Sequence, residues 1–283
     1  MEHFNVLIVR PPEASFYHAY TGMGRILAAA LKRLGCPTRM VENELVADAT
    51  NIVVGAHCLE PDVADDLPPN TIIYNSERVF AESTYLPALK AFVARFETWD
   101  YSEGNARAWA RMGISERVRW LRPGYVPECT TIDPATQTDI DALFYGHVNR
   151  RRREILDEIA RHGVRAYVLM NTYGAARDRY IARAKLVLNI HDASEAVFEV
   201  ARAVQVLANH RLLVTEPEGD DSVADLREGF ATGEAHQLGP LCRALLDDDA
   251  RRIALAERGF ELFSRRDFAA TVREALALRE PAR

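Results

Sequence analysis

No two cysteines lie close enough together to form a zinc or redox motif: Cys36, Cys58, Cys129 and Cys242 are scattered along 283 residues. That spacing excludes the common metal and disulfide-exchange patterns and fits reduced, mostly buried thiols in a cytoplasmic setting. Also missing is any apolar run of membrane-spanning length. From Met1-Glu-His-Phe4 the chain passes directly into a short apolar segment, without the basic stretch and long apolar run of a signal peptide, so a cytoplasmic protein is expected. A peripheral membrane contact through one helix stays open. Nor is there an excess of positive charge. At a formal net charge of -6 the chain is a poor general binder of polyphosphate, and no nucleic-acid partner is expected. Internal repeats and low-complexity tracts are absent as well.

What is present is an ordinary globular composition, 48% hydrophobic and 27% charged, in a chain long enough for about two domains. Short β-rich runs alternate with helical patterns throughout, as in βαβ units with parallel sheets. The first half offers strands at Asn5–Val9, Thr38–Val41, Asn51–Val54, Thr71–Tyr74 and near Glu97–Tyr101. A helix over Arg25–Leu34 is closed by Gly35. Through Thr130-Thr-Ile-Asp-Pro-Ala-Thr-Gln-Thr138 the pattern lapses into polar residues and proline. Strands resume at Ala142–Tyr145, Arg165–Leu169, Lys185–Ile190 and Arg211–Thr215, followed by a helical tail. The economical α/β architecture is two Rossmann-like domains facing one another across a cleft, residues 1–125 and 139–283, joined by a linker over 126–138.

In open parallel sheets ligands lie beyond the carboxyl ends of the strands, and polar residues collect there in the second half. The first strand runs into Gly146-His-Val-Asn149, the second reaches Asn171-Thr-Tyr173, and the third ends in Asn189-Ile-His-Asp192. Asn149 is a good N-cap, which puts Arg150 to Arg153 in the first helical turn, where cations are least favoured. Arg150 and Arg153 precede Glu154 and Asp157 by one turn and are explained as surface ion pairs. Arg151 and Arg152 share the packed face with Ile155, Leu156 and Ile159, so they lean over the sheet end. They form either a solvated run or a seat for a diphosphate at the helix start. His147 stands beside them.

Asn189 and His191 share one strand face. His191 is either a structural hydrogen-bonder or a catalytic group. In Asp192-Ala-Ser-Glu195 the spacing fits a capping box, with Glu195 reaching back to Asp192. Glu199 and Arg202 follow at helical spacing, either as an ion pair or with the carboxylate accepting ribose hydroxyls. In the first half, Gly22 and Gly24 precede a helix, but Leu27 replaces the third glycine of the dinucleotide fingerprint and neither Glu42 nor Glu44 serves convincingly as its ribose acid. A nicotinamide enzyme is disfavoured.

Tyr180-Ile-Ala-Arg-Ala-Lys-Leu-Val-Leu-Asn-Ile-His-Asp-Ala-Ser-Glu195 resembles the helix, strand and glutamate that lead into the donor-binding helix of GT-B glycosyltransferases. Residues 247–264 are similar to that family's closing helices. Gly22-Met-Gly24 resembles the acceptor-domain glycine loop, residues 101–113 its last strand and following helix, and Arg119-Trp-Leu-Arg-Pro-Gly-Tyr125 the strand before the interdomain linker. Many members carry two glutamates about two helical turns apart, one near the transferred sugar and one at the ribose. Glu195 matches the first, while Ala203 takes the second place and Glu199 is the nearest replacement.

The resemblance implies a cytoplasmic, bacterial-like hexosyltransferase using a nucleotide-diphosphate sugar such as a UDP-sugar as co-substrate, with no further cofactor and no metal. Arg151 and Arg152 would neutralise the leaving diphosphate. Gly22, Gly24, His147, Asn149, Tyr173, Arg177, Asn189, Glu195 and Glu199 would surround the donor, with Tyr173 or Arg177 reaching the base or a phosphate. His191 and Glu77 would be catalytic, Glu77 being preferred over His18 and His57 as base for the acceptor hydroxyl. The acceptor is open among a glycan, a lipid-linked glycan, a protein and a small molecule. The alternative is a catalytically idle GT-B-shaped protein that binds a nucleotide or stabilises a partner.

Overall fold

Strands β1 (Phe4–Ile8) and β3 (Thr50–Val54) are buried at every position. Such unbroken burial arises where both faces of a sheet are covered, as parallel sheets require. With β2 (Thr38–Glu42), β4 (Ile72–Asn75), β5 (Glu97–Asp100) and β6 (Val118–Trp120) they form a six-stranded sheet in the order β2-β1-β3-β4-β5-β6. Every pairing in it is parallel. The computed structural model describes residues 2–12, 17–81, 83–115, 117–133, 137–192, 199–217 and 222–279. The chain divides into two units, and this sheet belongs to the first, with α1 (His18–Arg33), α2 (Leu86–Arg95) and α3 (Glu103–Arg111).

The first helix begins a full two turns earlier than the spacing of its apolar residues suggests, so Gly22 and Gly24 lie inside α1 and not in a loop before it. A Cβ on Gly24 would stand 2.5 Å from the Ile8 side chain, so this glycine serves close packing of helix on strand instead of a phosphate turn. Both glycines belong to the first unit.

The second unit has a five-stranded parallel sheet of β7 (Ile140–Tyr145), β8 (Ala166–Leu169), β9 (Ala184–Asn189), β10 (Leu212–Thr215) and β11 (Ala231–Thr232), in the order β11-β10-β9-β7-β8. Its helices are α4 (Arg150–Arg161), α5 (Gly174–Arg183), α6 (Val200–Leu207), α7 (Leu238–Asp247) and α8 (Asp249–Ser264). Chain order reverses between β7 and β9, which makes their carboxyl ends the topological switch point. Asn149 caps α4 as expected, its side chain accepting from the Arg152 N–H, and Ile155, Leu156 and Ile159 are buried on the face turned to the core. The two-residue β11 is too short to leave a periodic signal.

Two boundaries depart from the sequence expectation. Most of the expected linker is pinned to the second unit by Asn209, whose Oδ1 accepts from the N–H groups of Thr131 and Ile132, both at 2.8 Å. Its Nδ2 donates to the Cys129 carbonyl at 3.1 Å, and Cys129 and Ile132 are buried. At the other end, helix α9 (Phe268–Ala277) belongs to the first unit, not the second. Its Phe268 N–H donates to the Tyr125 carbonyl at 3.1 Å, and Phe268 and Val272 are fully buried. Apolar periodicity identifies a helix but not the sheet it covers. No helix among the described residues is long and apolar enough to cross a membrane.

Candidate functional site

At the switch point of the second unit three guanidinium groups meet carbonyl and carboxylate oxygens. Arg152 leans over the sheet end, as its place on α4 requires, and is only 5% exposed. Its Nε donates to the Ile190 carbonyl and its Nη1 to the His147 carbonyl, each at 2.9 Å, while Nη2 pairs with Glu199. Arg202, on α6, donates to Asn189 Oδ1 at 2.5 Å and to the Tyr145 carbonyl at 2.8 Å, and pairs with Glu199 at 2.6 Å. Gly146 makes room for it: at φ 130° with a Cβ site 3.2 Å from Arg202 Nη2, no other residue fits without strain. Both cations also stand over the Phe144 ring.

Arg151 lies further out. Its two Nη groups clasp Glu216, which follows β10, and Nη1 also reaches the His191 carbonyl at 2.9 Å. Burial pushes the Glu216 carboxyl up, but hydrogen bonds from Arg151 and from the His191 N–H outweigh it and hold the group below the usual carboxylate value. His191 is 2% exposed, and burial depresses its pKa, so the imidazole is neutral at pH 7. Its Nε2 has no hydrogen-bond partner among the described residues.

Asn189 is fully buried and donates to Thr215 Oγ1 at 3.0 Å. Beyond capping α4, Asn149 donates to the carbonyl and carboxylate of Asp192 at 2.8 and 3.0 Å. Thus His147, Asn149, Arg151, Arg152, Asn189, His191 and Glu199 converge as the strand-end argument anticipated. Arg151 and Arg152 lean over the sheet end as expected, and carboxylates of the chain hold both, Glu216 on Arg151 and Glu199 on Arg152. Glu195 lies outside the described residues, and with it the expected capping-box contact, while α6 begins at Val200 with Glu199 in the N-cap position. Tyr173 precedes α5, and Arg177 pairs with Asp178 at 2.7 Å and lies over the Tyr145 ring. Glu216 went unrecognised although, directly after β10, it meets the same strand-end criterion as the residues after β7 and β9; nothing local pairs it with Arg151. Only strand order places it beside Arg151.

In the first unit the switch point lies between β1 and β3. A cleft of about 390 Å³ opens there, lined by Pro11, His57, Cys58, Pro61, Tyr85 and Pro87 among others. His57 Nε2 stands 3.6 Å from Glu77 Oε1, and Tyr20 and Tyr85 meet the imidazole edge-on. Two of the three candidate bases thus come together, whereas His18 opens α1 at the surface. Burial pushes the His57 pKa from 6.5 down to about 4. Nearby, Asp100 is fully buried, and burial pushes its pKa from 3.8 up to about 7 against four donors, from Asn75, the Ser102 N–H, Asn105 and Trp109.

These shifts have opposite consequences for stability. The depressed His57 contributes stability that is full above pH 6.5 and is lost as pH falls toward 4, amounting to about 3 kcal/mol. The raised Asp100 contributes stability that is full below pH 3.8 and is lost as pH rises toward 7. The first unit is therefore expected to show a shallow stability profile across this window. Asp100→Asn should unmask a fall of about 3 kcal/mol between neutral pH and pH 4 in denaturant melts. An unchanged profile in that variant would remove Asp100 from the titration.

No family model matches the sequence, and no curated protein is similar to it in sequence. Solved structures do match. Sucrose-phosphate synthase from Thermosynechococcus elongatus aligns with a TM-score of 0.64 at 11% identity, covering 98% of each chain. HepE from Anabaena, solved in complex with UDP and glucose, aligns at 0.61 and 12% identity over 99% of this chain and 100% of its own. TarM aligns at 0.55 and 13% identity over 82% of this chain, which spans only 54% of TarM. At such identities the likeness extends to fold, and the fold of this chain, two parallel-sheet α/β units, is that of the GT-B glycosyltransferases.

Proposed function

We propose that this chain transfers a sugar from a nucleotide-diphosphate sugar, with a UDP-sugar as first choice, to an acceptor hydroxyl, the second unit binding the donor without a metal ion. The observation that carries this reading is the convergence at one switch point of Arg151, the start of α4 and a neutral, buried His191 whose Nε2 is unpartnered among the described residues. UDP and glucose bound to a protein of the same fold support it. Arg151 would take charge developing on the leaving diphosphate, with His191 Nε2 donating to a phosphoryl or sugar oxygen. In the first unit His57 and Glu77 would serve the acceptor: His57, kept neutral at pH 7 by burial, or the Glu77 carboxylate beside it can take the proton that the hydroxyl loses as its oxygen attacks the sugar. Among the described residues no three His, Cys, Asp or Glu side chains are grouped to hold a metal ion.

A second reading has its own observation. Glu199, Glu216 and Asp192 lie against Arg151, Arg152 and Arg202, so positive and negative groups are matched within the site, as befits a protein that binds weakly and catalyses nothing. Calorimetry with UDP in the presence of chelator separates part of this question. UDP is expected to bind, and Arg151→Ala to weaken it by about 1.5–3 kcal/mol, the range for a hydrogen bond to a charged group. Equal affinity in the variant would return Arg151 to a structural role. Slow hydrolysis of a UDP-sugar without acceptor is expected of a transferase, and its absence alongside tight UDP binding would favour the idle reading.

A further inference from the structure

Glu216 holds a position that its own strand does not require. Oε2 accepts from Arg151 Nη1 at 2.9 Å and from the His191 N–H at 2.8 Å, and Oε1 accepts from Arg151 Nη2. A carboxylate that takes both prongs of a guanidinium and a strand-end N–H fills the seat that a phosphoryl group fills in an anion site, because both anions offer a matching pair of acceptor oxygens. Arg152 and Arg202 are closed off, each side chain only 6% exposed, whereas that of Arg151 is 27% exposed. Arg151 is therefore the guanidinium of this cluster that an incoming anion can reach. Beside it His191 Nε2 is buried without a hydrogen-bond partner among the described residues, on a residue 2% exposed. A buried polar atom of this kind is costly to leave unpaired, and a ligand oxygen reaching it would relieve the cost.

We propose that Glu216 is an intramolecular competitor that occupies an anion seat formed by Arg151 and His191, and that a diphosphate binds there by displacing it. This rests on the reading of the site as one for a nucleotide diphosphate and adds how its affinity is set. Binding exchanges one bidentate pair for another, so the net gain is smaller than an unpaired guanidinium would give. It also favours a diphosphate over a monophosphate. Two linked phosphoryl groups can engage Arg151 and His191 Nε2 together, whereas a single one must choose.

The test is calorimetry of inorganic pyrophosphate and inorganic phosphate, in chelator, on the full chain and on Glu216→Gln, Glu216→Asp and the double variant Glu216→Gln with Arg151→Ala. Removing the competing charge in Glu216→Gln is expected to tighten pyrophosphate binding roughly tenfold, the size of one modest charged contact. Glu216→Asp, one methylene short of spanning both donors, should gain less. The double variant should lose the gain, and phosphate should gain less than pyrophosphate throughout. Unchanged or weaker pyrophosphate binding in folded Glu216→Gln overturns the proposal. So does failure of both single variants to fold, which makes Glu216 a structural partner of Arg151. The sugar-transfer reading fails separately, if the unaltered chain neither binds nor turns over a nucleotide sugar while Glu216→Gln still gains affinity for pyrophosphate.

Discussion

Phe268→Ala is expected to destabilise the first unit by about 3–5 kcal/mol, the usual cost of emptying a buried aromatic site. Phe268 is fully buried at the start of α9, where Asp267 caps the helix by accepting from the Ala270 N–H at 3.0 Å. Val272 and Ala275 continue the same buried face, and Arg279 ties the end of the segment to Glu97 at 3.2 Å and Glu2 at 2.6 Å. Hydrogen exchange should therefore quicken in β1 and α1, with β7 and β9 unaffected. Faster exchange confined to β7 and β9 would mean that α9 belongs to the second unit after all. A practical consequence concerns truncation: a fragment of residues 139–283 carries a helix whose docking site has been removed, and a fragment of residues 1–125 lacks the helix that covers it.

Arg152→Ala should cost a comparable amount, about 3–5 kcal/mol, because it strips one partner from a buried charged network. It leaves the carbonyls of Ile190 and His147 without these donors and Glu199 with Arg202 as its remaining ion-pair partner among the described residues. Arg151→Ala should cost less, about 1–3 kcal/mol, since its side chain is 27% exposed and water can replace part of it, while Glu216, 5% exposed, keeps the His191 N–H. For nucleotide binding the order should reverse: Arg151 faces outward, whereas Arg152 is spent on the sheet end. Paired denaturant melts and UDP titrations of the two variants check this. Equal stability loss in both would contradict the burial difference, and stronger loss of UDP binding in a folded Arg152→Ala would move the anion seat inward.

Strands β1 to β5 and β7 to β10, the Asn149 cap and the collection of polar residues after β7 and β9 were legible in the sequence because each depends on near neighbours. Burial on both strand faces selects apolar runs, a capping residue acts within one turn, and alternation decides which side chains emerge together. The pairing of those residues depended on strand order. Arg151 meets Glu216 across 65 positions because β10 lies beside β9, and His57 meets Glu77 because β3 lies beside β4. Gly22 and Gly24 looked like a loop because a glycine's local preference is for turns, yet both lie inside α1, where the close approach to Ile8 leaves no room for a Cβ at Gly24. The same applies to α9: its periodicity determined that it would be a helix with one buried face, but which sheet that face covers was decided by the tertiary fold, through contacts with residues far away along the chain. Local chemistry therefore specified the elements and the ends at which a site would form, and the non-local order of the strands decided which charges there are neutralised and which can still be reached.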